Sequence, residues 1–373
     1  MNREPDRRLL LSAGEPSGDV LGAGLMAALR IRRAGLSFEG VGGPRMVGAG
    51  LRPLAEVTQL GTIGFTGVLG AIPRHLRLYR RILAGARAGR YQGAVLIDYP
   101  GFHLRLGAAL RQAGVPVIQY VAPQLWAWRA SRLPQLARAA DEVAAVLPFE
   151  EAWFRARGLS CRYVGHPAAD RSWSAPEAAR QALGLTKSGP VLGIFPGSRE
   201  GEIGYNWPLF RDVGRRMLAE GSCASVVVAA TTTGYYPDAE GFVVRRGEPD
   251  LVLAAATAAV IKSGSTTLEA ALAGTPMVVA YRTARLTYEI ARRQMTVGQI
   301  SLVNLIAGES VVPEFWHPPV SAAPVADAVR PLLEPSSPAA ALQRAGFAAV
   351  RARLGPAGAS ARVADLLLGR LAC

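Results

Sequence analysis

The chain has 373 residues, of which 50% are hydrophobic and 19% charged, and its formal net charge is +14. This length exceeds one compact core and predicts two domains of ordinary size. Three scattered cysteines and four histidines without ligand spacing exclude a disulfide framework and a structural zinc site, so we expect no metal. No stretch of the sequence reads as a transmembrane helix or as a signal peptide, so we expect a cytoplasmic protein.

The strands of the first half are predicted from short apolar runs, each bounded by glycine, proline or polar residues. They are RLLLSAG (8–14), SFEGVGG (37–43), YQGAVLIDYPG (91–101), VPVIQYVAP (115–123), DEVAAVLPF (141–149) and CRYVGHP (161–167). Helical stretches separate several of these runs, including one that continues to about Arg33 and another over residues 103–114. Strands that alternate with helices indicate parallel βαβ units.

The turn SAGEPSGD, residues 12–19, lies between the first strand and the first helix, as a phosphate-binding loop does. Its glycines, Gly14 and Gly18, match neither GxGxxG nor a P-loop. Its carboxylates, Glu15 and Asp19, would repel a diphosphate but could accept hydrogen bonds from sugar hydroxyls or an amine. The alternatives are a helix N-cap for Asp19 and a solvated turn residue for Glu15.

Basic residues concentrate in residues 71–90, AIPRHLRLYRRILAGARAGR, which contain six arginines and no acidic residue. Such a basic amphipathic helix is typical of membrane-surface binding. The alternative is a surface helix whose apolar stripe packs on its own domain. The overall charge also suits nucleic acid, but the arginines are not arranged in a recognisable nucleic-acid recognition fold.

Asp98 follows the apolar run 94–97 and precedes a Tyr-Pro-Gly turn. A carboxylate at the carboxyl end of a buried parallel strand is well placed to act as a general base. The alternative is an N-cap for the following helix. We interpret Asp98 as functional, whereas for His103 we favour packing on the helix face over a role in tuning Asp98.

The alternation weakens over residues 170–189 and then restarts, which places a domain boundary in this region. The strands of the second half are GPVLGIFPGSR (189–199), CASVVVAAT (223–231), GFVVRRG (241–247), AAVIKSGS (258–265) and TPMVVAYR (275–282). We therefore expect an α/β protein with domains at 1–172 and 173–335 and a helical tail at 336–373. Ligand sites in such folds lie at the carboxyl ends of strands and often in the cleft between domains.

Two loops of the second half suit an anion. Gly197 allows close backbone approach and Arg199 offers a bidentate fork to phosphate, although the loop is not a Walker motif. The small residues 263–266 open a helix whose N-terminal amides favour negative charge. Together the loops suit a nucleotide diphosphate. The chain contains no Asp-x-Asp, so protein cations rather than a metal are expected to stabilise a leaving diphosphate.

Glu269 has two interpretations that the sequence leaves open. Thr266-x-x-Glu269 matches a capping box, in which the carboxylate bonds back to the helix start. Alternatively, a carboxylate can accept hydrogen bonds from the two adjacent hydroxyls of a sugar diol.

Nine short motifs between about residue 10 and residue 316 occur in the order seen in lipid-A-disaccharide synthases. The chain therefore resembles that family. The motifs are SAGEPSGD, IDYPGF, YVAPQLWAW, LPFE, YVGHP, FPGSR-x-x-EI, SGSTTLEAAL, TPMVVAYR and LVNLIAG-x-x-VVPEF. The resemblance implies the GT-B architecture, two Rossmann-like domains with parallel sheets facing across a cleft. It also implies transfer from UDP-2,3-diacylglucosamine to 2,3-diacylglucosamine 1-phosphate, which gives a β(1→6) disaccharide and UDP without a metal or cofactor.

The resemblance also implies roles for individual residues. Asp98 would be the general base or an essential acceptor-side carboxylate, Arg199 would hold the diphosphate, and Asn304 would contact the uridine nucleotide. The donor side would comprise Gly197, Ser198, Arg199, Ser263, Gly264, Ser265, Thr266, Glu269 and Asn304. The acceptor side would comprise Gly14, Glu15, Ser17, Gly18 and Asp19.

Family members are peripheral to the inner face of the cytoplasmic membrane, which favours the membrane interpretation of residues 71–90. The resemblance further implies that the C-terminal tail packs back on the first domain and can be exchanged within a homodimer. The chain departs from the family at Ala256-Thr257, where a polar pair is common, and at Val303, where proline is common. The alternatives are another UDP-sugar-dependent GT-B enzyme, such as a glycolipid transferase or an epimerase, and a non-catalytic sugar-nucleotide-binding protein.

Overall fold

The computed structural model describes the backbone of residues 8–56 and 68–371 and the side chains of residues 8–55 and 73–371. The chain divides into two compact units. Unit 1 comprises Met1–Asp170 with Pro356–Cys373, and unit 2 comprises Arg171–Gly355.

Unit 1 contains a seven-stranded parallel sheet in the order β3-β2-β1-β4-β5-β6-β7. Its strands are β1 (Arg8–Ala13), β2 (Phe38–Gly42), β3 (Leu51–Glu56), β4 (Tyr91–Ile97), β5 (Val117–Tyr120), β6 (Glu142–Ala145) and β7 (Cys161–Tyr163). Its helices are α1 (Pro16–Arg32), α2 (Pro44–Gly48), α3 (Val68–Arg87), α4 (Pro100–Gln112), α5 (Leu133–Ala139), α6 (Glu150–Arg155) and the C-terminal α15 (Ala359–Leu371).

The central strands of unit 1 are apolar without alternation because helices cover both faces of a parallel sheet. Leu9, Leu10 and Leu11 in β1 are fully buried, as are the residues of β4 from Ala94 onward. The strand order reverses between β1 and β4, so their carboxyl ends form the crevice where open α/β sheets bind ligands.

Unit 2 contains a six-stranded parallel sheet in the order β10-β9-β8-β11-β12-β13. Its strands are β8 (Val191–Phe195), β9 (Ser225–Ala230), β10 (Val243–Arg246), β11 (Ala258–Ile261), β12 (Met277–Ala280) and β13 (Glu314–Phe315). Its helices are α7 (Pro176–Ala182), α8 (Glu200–Ala219), α9 (Pro249–Ala255), α10 (Ser265–Ala273), α11 (Arg285–Gln294), α12 (Leu302–Ala307), α13 (Ala322–Val329) and α14 (Pro338–Leu354). The order reverses between β8 and β11, which places a second crevice there.

The predicted α/β class with two parallel sheets is confirmed. The two helices of the predicted tail, 336–373, belong to different units. Gln343 of α14 exchanges hydrogen bonds with the backbone of Met277 in unit 2 over 2.8 and 3.0 Å. After the turn at Gly355, which has a φ of +65°, α15 packs on α1, where Asp365 pairs with Arg32.

Candidate functional site

The first group of candidate residues lies where β4 of unit 1 ends. Asp98 and Tyr99 both adopt left-handed backbone conformations, with φ values of 51° and 52°. Such conformations cost about 1–3 kcal/mol each in residues other than glycine and persist only where the surroundings impose them. The Asp98 amide donates to the carbonyl oxygen of Tyr120 over 2.9 Å, and the Asp98 side chain is partly exposed. Tyr99 occupies the N-cap position of α4, which begins at Pro100, so Asp98 lies one residue before the cap position.

His103 imposes this conformation from inside the unit. Its Nδ1 lies 2.7 Å from the Asp98 carbonyl oxygen, and its Nε2 lies 2.8 Å from Ser12 Oγ. Because a carbonyl oxygen only accepts, Nδ1 carries the proton, and Nε2 accepts the Ser12 hydroxyl. Complete burial lowers the pKa of His103 to about 4, which keeps the imidazole neutral at pH 7. His103 therefore anchors Asp98, whereas our sequence interpretation favoured simple helix-face packing.

Tyr99 connects the Asp98 turn with the SAGEPSGD turn. A Cβ on Gly14 would lie 2.2 Å from Tyr99 Cγ, so only glycine fits beneath the ring. The Tyr99 hydroxyl lies 3.0 Å from His75 Nε2. Burial and the Glu15 carboxylate together raise the pKa of Tyr99. The structure thus brings Gly14, Glu15 and Asp98 to the same crevice.

Asp19 has a different position from that predicted. Its carboxylate is buried and accepts hydrogen bonds from the backbone amides of Gly43 and Met46, over 2.7 and 3.0 Å, and of Arg45, over 3.0 Å. These amides form the N-terminus of α2, so Asp19 caps α2 from within α1. The predicted alternative, an N-cap of its own helix, is wrong because α1 begins three residues earlier.

The remaining residues of the turn differ in exposure. Ser17 is exposed, and Glu15 is partly exposed at the N-cap position of α1. Gly18 is buried, and a Cβ there would lie 3.0 Å from Ala13 Cβ, which indicates a packing role. Glu15 and Ser17 are therefore the members of the acceptor-side set that can meet a ligand with their side chains.

In unit 2 the loops after β8 and β11 are neighbours, because Phe195 and Ile261 pair in register. Glu202 of α8 joins them. It accepts from Lys262 Nζ over 3.0 Å and, over a longer 3.4 Å, from the Ser198 amide. Gly197 has a φ of +128°, and a Cβ there would lie 2.9 Å from Glu202 Cβ. Two features therefore require glycine at position 197: its backbone conformation and the close packing of Glu202.

Positive charge concentrates at this edge of the unit 2 sheet. Arg199 is largely exposed and lies 3.9 Å from Glu202, whereas Lys262 is mostly buried. Burial opposes ionisation of Glu202, but the attraction of Lys262 prevails and lowers the pKa of Glu202. Arg282, which follows β12, is exposed. Arg199, Lys262 and Arg282 outnumber the two carboxylates of the first turn of α8, Glu200 and Glu202, which leaves a net positive edge that suits a phosphate group.

The N-terminus of α10 adds backbone donors to this edge. The N-cap residue is Gly264, with a φ of +156°, and it provides no side-chain acceptor for the first helical amides. Ser263 is oriented by its hydroxyl, which donates to the Ile300 carbonyl oxygen over 2.6 Å. The first turn, including Ser265 and Thr266, therefore presents amides and the positive helix end to an anion.

The capping-box alternative for Glu269 does not match the observed start of α10, although the Thr266 side chain does hydrogen-bond to the Glu269 carboxylate. The helix begins at Ser265, so Thr266 is its second residue rather than its N-cap. Glu269 also accepts from Arg171 Nη1 over 2.8 Å, and the same guanidinium contacts Asp250 over 2.7 Å. Burial raises the pKa of Glu269 despite this ion pair.

Asn304 is buried, and its amide is fully engaged within unit 2. Its Nδ2 donates to the Val312 carbonyl oxygen and Glu314 Oε1, over 2.9 and 2.8 Å. Its Oδ1 accepts from the amides of Val311 and Val312, over 2.8 and 2.9 Å. These bonds use both donors and both lone pairs of the amide. Asn304 therefore shapes the loop after α12, and nucleotide contact by its side chain stays a prediction.

The sequence interpretation assigned no role to two residues of the unit 2 crevice, Glu202 and Lys262, and for His103 of unit 1 it favoured packing over a role at Asp98. Lys262 follows β11 directly, as Asp98 follows β4, and this shared position was the available signal. Glu202 is the acidic residue of FPGSR-x-x-EI, a motif we used for resemblance without assigning the glutamate a role.

The basic segment 71–90 forms most of α3, and the side chains of residues 71 and 72 lie outside the described set. Leu78 and Ile82 are buried in unit 1, whereas Leu76 is 44% exposed. The arginines of α3 at 74, 77, 80, 81 and 87 are exposed. Its apolar stripe therefore packs on its own unit, and its outer face is basic.

Over 8–56 and 68–371, no three His, Cys, Asp or Glu side chains are placed to hold a metal ion together. Within the same ranges, none of the helices is both long enough and apolar enough to span a bilayer.

Known protein families and sequences similar to this chain point to one enzyme family. The family model described as lipid-A-disaccharide synthetase matches residues 9–355. A lipid-A-disaccharide synthase from Myxococcus xanthus is 38% identical over 371 residues, which is 97% of each chain. One from Pseudomonas aeruginosa is 39% identical over 346 residues, covering 88% of this chain and 90% of the relative.

Solved structures show the same architecture at low identity. UGT89C1 of Arabidopsis thaliana has a TM-score of 0.67 at 13% identity, covering 98% of this chain and 100% of that one. The calicheamicin glycosyltransferase CalG4 has a TM-score of 0.56 at 16% identity, covering 98% of both chains. These likenesses confirm the GT-B fold class, and the family match along most of the sequence shows that the chain belongs to the lipid-A-disaccharide synthase family.

Proposed function

We propose that the protein transfers a diacylglucosamine unit from UDP-2,3-diacylglucosamine to the 6-hydroxyl of 2,3-diacylglucosamine 1-phosphate. The products are the β(1→6) lipid A disaccharide 1-phosphate and UDP. The observation that carries the proposal is the similarity, over 97% of the chain, to relatives named lipid-A-disaccharide synthase. The positions of Asp98 in one crevice and of the cationic edge in the other support it.

On the acceptor side, the 6-hydroxyl oxygen attacks the anomeric carbon of the donor in a single displacement that inverts configuration. Asp98 receives the hydroxyl proton as general base. The position of Asp98 beyond the end of β4 and the anchoring of its backbone by His103 support this role. Glu15 and Ser17, on the neighbouring turn, are proposed to accept hydrogen bonds from acceptor hydroxyls.

On the donor side, the bond between the anomeric carbon and the β-phosphate oxygen breaks, and UDP leaves with its electrons. Arg199, Lys262 and the N-terminal amides of α10 are proposed to stabilise the developing charge. Gly197, Ser198 and residues 263–266 surround the phosphates in this proposal. Glu269 binds the ribose hydroxyls, and Asn304 shapes the nucleotide pocket.

The basic outer face of α3 is proposed to contact anionic headgroups at the inner face of the cytoplasmic membrane. Its exposed arginines support an electrostatic contact, each contributing about 1 kcal/mol near such a surface. We also propose a homodimer in which the C-terminal helix α15 can be exchanged between subunits.

The test is UDP release in detergent micelles that contain both lipids, with EDTA present and Asp98→Ala and Asp98→Asn alongside. We expect release that needs both lipids, survives EDTA and falls by about 10²–10⁴-fold in the Asp98 variants, the usual contribution of a general base. Both Asp98 variants should bind UDP like the wild type, whereas Arg199→Ala should bind it more weakly. Wild-type rates in the Asp98 variants would remove Asp98 from the mechanism.

The same assay addresses the alternative functions. If folded, UDP-binding protein releases no UDP with these lipids, product analysis with other UDP-sugars would test for another glycolipid transferase or an epimerase. Absence of any turnover would favour a sugar-nucleotide-binding protein.

A further inference from the structure

Helix α11 of unit 2, Arg285–Gln294, lies on the surface, and none of its residues is buried. Tyr288 contributes to its attachment to the unit, because its hydroxyl lies 2.7 Å from His317 Nδ1. The Tyr288 ring also packs near Trp316, with 5.9 Å between ring centroids. The helix is therefore held at one side, and its other side faces outward.

The outward side combines aliphatic and basic residues. Leu286 is 73% exposed and Ile290 49% exposed, and the two are one helical turn apart on the same face. The arginines of α11 and the preceding loop are exposed: Arg282, Arg285, Arg292 and Arg293. Glu289 is the one acidic residue of the segment, so residues 282–294 carry a net charge of +3, from four arginines less one glutamate.

We propose that α11 is a lipid-docking surface of unit 2, which binds a bilayer that carries anionic headgroups. Leu286 and Ile290 insert at the boundary between headgroups and acyl chains, and the flanking arginines bind the headgroup phosphates. The exposed aliphatic pair favours a bilayer over nucleic acid, because nucleic-acid surfaces built on phosphate contacts need no aliphatic insertion.

The contrast between α11 and α3 supports this assignment. In α3 the aliphatic residues Leu78 and Ile82 are buried in unit 1, so they are not available for insertion. In α11 the aliphatic pair remains outside, and Arg293 lies on the same face, three residues after Ile290. Among its described side chains α3 exposes Leu76 beside its arginines, whereas α11 exposes two aliphatic residues one helical turn apart and so offers more apolar surface for insertion.

The position of α11 gives the proposal a functional meaning, which rests on the proposed function. The helix follows β12, which neighbours β11, so it begins at the sheet edge that carries Lys262. A bilayer bound at α11 lies beside the loops that hold the donor diphosphate. This placement suits a donor whose acyl chains remain in the membrane while its nucleotide occupies the protein.

The test is sedimentation of the full chain with vesicles of phosphatidylcholine, with and without 30 mol% phosphatidylglycerol. One variant is Leu286→Ser/Ile290→Ser, and another is Arg285→Gln/Arg293→Gln. The matched control is Leu342→Ser/Lys187→Gln, which changes an exposed leucine and an exposed lysine elsewhere in unit 2. Affinity for UDP, a soluble ligand, reports whether each variant retains the fold of unit 2.

We expect the wild type to prefer anionic vesicles and the control to bind within about twofold of it. The serine variant should bind at least about tenfold more weakly because apolar insertion is lost. The glutamine variant should lose about thirtyfold, and added salt should reduce the difference. UDP affinity should stay within about twofold of wild type throughout.

Wild-type vesicle affinity in the serine variant would overturn the proposal, as would equal wild-type binding to neutral and anionic vesicles. Tight binding of single-stranded RNA that depends on the arginines but not on Leu286 and Ile290 would also overturn it. Vesicle binding is measured without turnover, so the two proposals fail separately. An inactive wild type that needs Leu286 and Ile290 for vesicle binding refutes the proposed function alone.

Discussion

His103 Nδ1 donates a hydrogen bond to the Asp98 carbonyl oxygen over 2.7 Å, and the bond links the first turns of α4 to the strand end before it. Gln119 donates to the same oxygen over 3.2 Å. Two buried donors on one carbonyl hold the left-handed conformation at Asp98, which the residue would otherwise rarely adopt. The direction of the Asp98 carboxylate is thus set by side chains that need not touch a substrate.

Replacing His103 should therefore reduce turnover without weakening nucleotide binding. His103→Leu removes the Nδ1 donor and should lower kcat by about 10–100-fold, because small misplacements of a catalytic group have effects of this size. His103→Asn places an amide donor near the Nδ1 position and should restore most of the rate. UDP release in micelles and calorimetric UDP affinity provide the two readings. Full kcat in a folded His103→Leu protein would exclude a positioning role.

The same histidine makes stability depend on pH in a defined direction. Burial lowers the pKa of His103 to about 4 in the folded chain, whereas an unperturbed histidine titrates near pH 6.5. The unfolded chain therefore binds a proton first, and stability is lost as the pH falls from about 6.5 towards 4. The loss from this group reaches at most about 3 kcal/mol.

Because burial also lowers the pKa of His166 to about 4, the useful quantity is the difference between wild type and His103→Asn. Urea unfolding at several pH values should show the wild-type advantage at pH 7 shrinking steadily below pH 6.5. A difference that stays constant down to pH 4.5 would mean that His103 takes up its proton at the same pH in the folded chain as in the unfolded chain.

The sequence predicts the two parallel sheets well because buried parallel strands are written as continuous apolar runs such as 9–11 and 94–97. It predicts caps and side-chain partners poorly. The partner of Asp19 is a helix that starts 25 residues later, and local spacing rules cannot identify it. The capping-box pattern places the N-cap of α10 at Thr266, but the helix begins two residues earlier, with Gly264 as its N-cap.

Asp19 should matter for stability more than for ligand binding. Asp19→Ala leaves three backbone amides without their acceptor, and each unsatisfied buried donor costs about 1–3 kcal/mol, partly offset by water. We expect a loss of at least about 2 kcal/mol in the free energy of unfolding, and a smaller loss in Asp19→Asn, which retains one acceptor. Glu15→Gln, a change at a partly exposed carboxylate, is the matched control. Wild-type stability of Asp19→Ala would refute the capping role.

Glu269 can be tested as a ribose ligand through the ligand rather than the protein alone. Glu269→Gln should weaken UDP by about tenfold but leave 2′,3′-dideoxy-UDP nearly unaffected, since that analogue lacks the hydroxyls. Arg171→Ala separates ribose binding from the ion pair, because it removes the partner that lies 2.8 Å from Glu269 and retains the carboxylate. Equal losses for both nucleotides in Glu269→Gln would indicate a structural ion pair instead of ribose recognition.

Lys262 has two possible effects on UDP, because it can attract the diphosphate directly or merely neutralise Glu202, 3.0 Å away. We expect the direct effect, since Arg199 and the start of α10 lie at the same sheet edge. Lys262→Met should then weaken UDP by about tenfold or more, the usual value of a charged hydrogen bond. It should also raise the pKa of Glu202, whose burial would no longer be offset by the ammonium.

The double variant Lys262→Met/Glu202→Gln distinguishes the two effects. If Lys262 only neutralised Glu202, removing both charges would restore UDP affinity to the level of Glu202→Gln alone. If Lys262 binds phosphate, the double variant should remain at least about fivefold weaker than Glu202→Gln, and its binding should depend less on salt because one cation is missing. Lys187→Met, at an exposed lysine away from the loops, serves as the control for a general change in net charge. Calorimetric titration with UDP at two salt concentrations compares the two single variants, the double variant and the control with the wild type. Recovery of the double variant to the affinity of Glu202→Gln would restrict Lys262 to balancing the charge of Glu202.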